Sequence, residues 1–303
     1  MSIGRRAILS LPGVAGLART VPAAGTPGPV GAAGGFDLVR DWNFGTAAGS
    51  TIGDKAALGR EFHFRYIYEG GRLDGLPQNY WSRHRDYADG DPRALHVFGP
   101  DHLVLKARIP PGGGLRPDGI ESGMLRGRLP VVPGMYVEMR ARLPRGVGTW
   151  PAFWLNPGVQ HEDDSFSALP WPPEIDIFEF FNWAGRRRTR VMTTNVQTAG
   201  RDAEFGPPRD IFSLFRNGEY VPGVDFSAGW HVFALDWVPD RPTWLLDGRV
   251  IRQTHYVWRA PPAHILVTNQ IGMTFPGVDL TGMGAPDDDW DYAVDYIRVW
   301  RRR

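Results

Sequence analysis

What most limits the fold of this chain is the spacing of its apolar residues. From Phe36 onward they alternate with polar residues, or run together for a strand's length, and then meet a turn; apolar repeats at helical spacing are missing. In "MYVEMRARLP", Val137, Met139, Ala141 and Leu143 point one way and Tyr136, Glu138, Arg140 and Arg142 the other. That is a half-buried strand with one polar face. Asp247-Gly248, inside "TWLLDGRVIRQT", predicts a hairpin, because this pair tolerates the positive φ angles of a two-residue hairpin turn. "HVFALDWVP", "HILVTNQIGM" and "AVDYIRVW" are further strands, rich in β-branched and aromatic side chains. The 38 glycines and 27 prolines supply the turns between them. Strand after strand without an intervening helix predicts an all-β sandwich or barrel, built as one domain.

Other features narrow the chemistry. A formal net charge of +1 gives no electrostatic footprint for nucleic acid. The absence of cysteine excludes disulfides, thiolate nucleophiles and thiolate metal sites. Residues 1–24 have the layout of a signal peptide: Arg5 and Arg6, an apolar segment from Ala7 to Ala18, then small residues at Ala23 and Ala24. The adjacent arginines suggest the twin-arginine route, so the expected location is periplasmic or extracellular in a bacterium. Residues 25–35 read as a flexible linker and 36–303 as the domain. No segment reaches membrane-spanning length, and nothing in the sequence asks for a second subunit.

The stretch that carries chemistry is "PWPPEIDIFEFFNW", Pro170 to Trp183. Glu174 and Asp176 share one face of a strand and Ile175 and Ile177 the other. Strict alternation would turn Glu179 away from its fellow acids. One extra residue near Ile177–Phe178, a β-bulge, brings it back. Three carboxylates on one face, bracketed by Trp171 and Trp183, have three physical readings. Paired carboxylates flanking a sugar bond hydrolyse glycosides. Clustered carboxylate oxygens bind calcium. The third reading is the solvated face of an ordinary strand. Spacing alone leaves all three open.

The same residues resemble glycoside hydrolase family 16, the group of laminarinases, carrageenases and agarases, whose bulged branch carries Glu-x-Asp-x-x-Glu; here this is Glu174, Asp176 and Glu179. "GTWPAFWL", Gly148 to Leu155, resembles the strand before the acids. "ESGMLRGRLPVVPGMYVEMRARLP", "GWHVFALDWVPDRPTWLLDGRVI" and "VDYIRVW" resemble the strands that flank and close the fold. The resemblance implies a concanavalin A-like jelly roll with an open concave cleft. It also implies a retaining, endo-acting β-glycoside hydrolase working through a glycosyl-enzyme, with Glu174 as nucleophile, Glu179 as general acid/base and Asp176 as the helper between them. The substrate implied is an extracellular polysaccharide, a β-1,3-glucan-like polymer or an acidic exopolysaccharide.

By the same resemblance Trp150 and Trp154 floor the sugar subsites, with Trp171 just before the acids, Arg140 in the cleft and Asn79 on the non-reducing side. Many members carry a His on the strand after the acids; Asn195 stands nearest that place here, and an amide cannot carry charge. Pro173 replaces the usual glycine before the first acid. Asp295 matches a position that binds structural calcium in some relatives, and no other cofactor is expected. "GRRRTR", Gly185 to Arg190, is either a solvated turn or a grip for anionic sugar substituents. Two other functions use the same sandwich: transglycosylation, and sugar binding without catalysis.

Overall fold

The expected strands form two sheets packed face to face, with a small third sheet at one end. The computed structural model describes residues 28–32, 34–65, 81–161, 166–168, 173–183, 188–198, 219–220, 224–274, 278–284 and 290–303. The first sheet runs β17 (Arg249–Gln253), β16 (Arg241–Leu246), β15 (His231–Val238), β9 (Met135–Arg142), β19 (Tyr292–Arg302), β5 (Leu103–Leu105) and β4 (His96–Phe98), with β1 (Phe36–Asn43) also paired to β19. The second runs β14 (Glu219–Tyr220), β13 (Met192–Gln197), β12 (Glu174–Glu179), β10 (Thr149–Gln160), β18 (Ala263–Ile271), β8 (Met124–Val131) and β2 (Phe62–His63), with β11 (Phe166–Ala168) on β10. The third joins β3 (Ser82–His84), β7 (Ile120–Ser122) and β6 (Ala107–Arg108). Pairing is antiparallel throughout the two large sheets, so each can bury one face and leave the other for use.

Between the large sheets lies the main core. Val137, Met139 and Ala141 from one sheet meet Phe153, Leu155, Ile175, Ile177 and Phe178 from the other, all essentially inaccessible to solvent. The alternation read in "MYVEMRARLP" is therefore the one that forms. Asp247 (φ 48°) and Gly248 (φ 78°) make the predicted hairpin turn between β16 and β17.

Two features were not anticipated. A short helix, α1 (Lys55–Glu61), is started by Asp54, whose side chain accepts a hydrogen bond from the Ala57 amide; Leu58 anchors it in the core. The far face of β9 is also less polar in its surroundings than expected. Residues 28–32, part of the expected flexible linker, lie against it. The Val30 amide donates to Glu138 Oε2 at 2.9 Å, and the Tyr136 hydroxyl donates to the Val30 carbonyl at 2.7 Å. Gly31 sits so close to Gly248 that a Cβ there would stand 2.1 Å from the Gly248 carbonyl oxygen. Tyr136, Ala234, Leu245 and Trp300 close a second, smaller core under this segment.

Candidate active site

The acids stand on the face of the second sheet that points away from the core. Across β10, β12 and β13 the register reads Trp154, Asp176, Asn195 in one row and Ala152, Glu179, Thr193 in the next. Phe178 pairs with Phe153, which leaves Ile177 as the extra residue of a bulge. The bulge turns Ile177 and Phe178 both into the core, where the Phe178 ring lies 4.3 Å from Phe233 and 5.4 Å from Phe180. Apolar packing thus pays for the irregular strand, and Glu179 returns to the side of Asp176. Glu174 pairs with Gln197 at the strand's start and is partly open to solvent.

Asp176 is the centre of the group. It interacts with the side chains of Glu174, Glu179 and Gln197, and is 2% exposed. Burial first, and then the charge of Glu174, holds its pKa well above the usual carboxylate range. Glu179 is raised for the same reasons, burial and the charge of Asp176, while an indole bond from Trp150 Nε1 to its Oε1 at 3.0 Å works the other way. Two carboxyls this close and this dry cannot both ionise cheaply, so protons stay on the pair and the more open Glu174 is the member best able to carry charge.

The other expected site residues divide. Trp150 is in place beside Glu179, its ring tilted on Phe181 at 5.2 Å. Asn195 is fully buried next to Asp176, where the missing His was to be found. Trp154 is in the same row but is packed among Met124, Ala152 and Leu266 with 6% of its surface exposed, and its Nε1 donates to Thr268 Oγ1 at 3.3 Å. It is a packed element of the floor and not an open platform. Arg140 must be corrected outright. It lies on β9 of the opposite sheet, on the face turned from the core, ion-paired to Asp295 and over the ring of Trp230. Alternation fixed its face relative to Met139 but not which sheet would carry it.

Asp295, expected to hold calcium, spends its carboxylate on the Arg140 guanidinium. Among the described residues no group of three or more His, Asp or Glu is arranged to hold a metal. In the basic run, Arg190 pairs with Asp225 at 3.2 Å. Trp171, Asn79 and residues 185–187 of the basic run lie outside the described residues. Gln197 was missed by the sequence reading, although the alternation of "MTTNVQ" already put Thr193, Asn195 and Gln197 on one face.

Comparison with known proteins bears on the same strands. Residues 124–266 match the model of Glycosyl hydrolases family 16. A glucan endo-1,3-beta-glucosidase of Cryptopygus antarcticus is 39% identical over 113 residues, 37% of this chain and 36% of that protein. A beta-glucanase of Rhodothermus marinus is 27% identical over 178 residues, 54% of this chain and 56% of that protein. The chain therefore spans between a third and three-fifths of these relatives' lengths. Among solved structures, the catalytic domain of an endo-1,3-beta-glucanase (laminarinase) from Thermotoga petrophila RKU-1 superposes with a TM-score of 0.61 at 21% identity, covering 89% of this chain and 100% of that one. An endo-beta-1,3-glucanase from Pyrococcus furiosus gives 0.60 at 24% identity, covering 88% and 95%. These likenesses establish the fold as the all-β jelly roll expected from the sequence. The stretch that matches Glycosyl hydrolases family 16, residues 124–266, includes the acid-bearing strand and both of its neighbours.

Proposed function

We propose that this protein is an endo-acting β-glucan hydrolase that retains anomeric configuration. The observation that carries the reading is the bulge at Ile177, which gathers Glu174, Asp176 and Glu179 on one face. In this scheme the Glu174 carboxylate attacks the anomeric carbon while protonated Glu179 gives its proton to the departing glycosidic oxygen. Glu179, now a carboxylate, removes a proton from water, the water oxygen attacks the anomeric carbon, and Glu174 is released. Asp176, between the two, passes hydrogen-bonding pressure from one to the other and keeps Glu174 oriented. The raised pKa of Glu179 fits a group that must arrive protonated. No step calls for a metal. The glucan relatives favour a β-1,3-linked glucan as substrate. Export through residues 1–24 fits a polymer found outside the cell, and no helix among the described residues is long and apolar enough to cross a membrane.

The test is reducing-end release from a panel of β-1,3- and mixed-linkage glucans, galactans and acidic exopolysaccharides. Wild type is compared with Glu174→Gln and Glu179→Gln, and the anomer first released is read by NMR. Release lost in both variants, with retention in wild type, supports the scheme. Binding without release from any polymer would instead make the protein a glucan binder, like the beta-1,3-glucan-binding protein of Penaeus monodon, to which it is 31% identical over 114 residues. Inverted product would refute the nucleophile.

A further inference from the structure

The acid strand is held from behind. A bulge removes one step of the strand ladder, so the carbonyl of Asp176 needs a partner elsewhere. It finds one across the core: Trp244 Nε1 on β16 donates to the Asp176 carbonyl oxygen at 2.8 Å. Trp244 is itself completely buried. Its cross-strand neighbour on β17 is Arg252. A second bulge, at Ile251, lets Ile251 pack on the core and still sets Arg252 opposite Trp244. The Arg252 guanidinium lies 5.0 Å from the Trp244 ring centroid. Its Nη1 donates to the Thr194 carbonyl and to Thr194 Oγ1, the latter at 2.9 Å. Thr194 is the residue before Asn195, which pairs with Asp176. Two side chains of the first sheet therefore grip the two strands that carry the acid row.

We propose that Trp244 and Arg252 are positioning residues for the acid triplet, holding the bulge of β12 and the adjacent stretch of β13 so that Glu174, Asp176 and Glu179 keep their mutual spacing. The inference rests on the reading of this triplet as the hydrolytic site. A structural role alone would explain one such contact. It does not explain why both land within one residue of Asp176 or its partner. Nor does it explain a half-buried arginine at this spot, where burial draws its pKa down to about 10 and the charge of Asp176 draws it back up. The charged groups that interact with Asp176 among the described residues are Glu174 and Glu179 on its own strand and, through the sheet from its core side, Arg252, which feels the charge of Asp176. Arg252 is the one cation of the three, and it opposes the mutual repulsion of the acids.

The experiment uses Trp244→Phe, which keeps the ring and removes the donor, with Arg252→Met and Arg252→Lys. Each is measured for kcat and KM on the polymer that wild type cleaves best, for the pH profile of kcat/KM, and for unfolding midpoint. Trp244→Phe is expected to lower kcat by about 10- to 100-fold with KM changed less than about threefold, the size of loss that follows a displacement of roughly 1 Å. Arg252→Met is expected to move both limbs of the pH profile upward, and Arg252→Lys to return them toward wild type. A second readout does not need turnover: 13C-carboxyl titration of Asp176 and Glu179, assigned with Asp176→Asn and Glu179→Gln. If wild type cleaves no polymer, the hydrolase reading fails, and the titration still decides whether Arg252 acts on the acids. Wild-type kcat in Trp244→Phe, or identical titrations in Arg252→Met and wild type, would overturn the proposal.

Discussion

Replacing Glu138 by Gln should make the protein less sensitive to rising pH, by an amount the structure sets. Glu138 is fully buried on β9, beneath Val30. Burial raises its pKa from 4.5 to about 7, against the opposing pull of the Val30 amide, Arg298 and the Tyr296 hydroxyl. Because the folded pKa is the higher one, its contribution to stability is intact below pH 4.5 and is lost as pH rises toward 7. The gap of roughly 2.5 pH units, at about 1.4 kcal/mol each, amounts to ~3 kcal/mol. Glutamine keeps an acceptor for the Val30 amide and never ionises. The difference in unfolding free energy between Glu138→Gln and wild type should therefore rise by ~3 kcal/mol from pH 4.5 to pH 8, most of it before pH 7. Other titrating groups are common to both proteins and cancel. Denaturant unfolding at pH 4.5, 6, 7 and 8 measures it. A difference that stays flat across this range would show that Glu138 is not held protonated by burial.

Three further outcomes are expected. Trp150→Phe removes the bond that favours ionised Glu179, so the pKa of Glu179 climbs further; the alkaline limb of kcat/KM should move to higher pH, and a downward move would refute the assignment of Glu179 as the proton donor. Arg140→Ala should leave kcat/KM within about twofold, while stability at neutral pH falls by roughly 1 kcal/mol through loss of the Asp295 pair; a collapse of activity would return this arginine to the cleft. Asp54→Ala should cost about 1 kcal/mol in denaturant unfolding by uncapping α1, with activity unchanged.

Local patterns in the sequence were the ones that translated into structure. Asp247-Gly248 could be read because its turn is dictated by two residues. The bulge could be read because three acids and four apolar residues fit the two faces only with one residue inserted. What escaped depends on partners far away in the chain. Glu138 and Tyr136 looked solvent-facing, and residues 28–32, which cover them, are more than a hundred positions distant. Arg140 has the right parity and the wrong sheet, since alternation says nothing about which of two sheets a strand joins. Helix α1, at seven residues, is too short to show a repeat, and its one legible signal was the Asp54 cap. Trp244 and Arg252 read as ordinary hairpin residues until the opposite sheet was in view.

The docking of residues 28–32 also decides how the molecule can be presented. Val30 and Gly31 lie on the outer face of the first sheet, and the acid row is on the outer face of the second. Whatever is joined ahead of residue 28, whether a carrier protein, a tag bound to resin or a tether to a cell surface, meets the domain on its back. Immobilised that way, the enzyme would turn Glu174 toward the solution and the incoming polymer. Attachment through the Glu174 face would block the very surface it was meant to display.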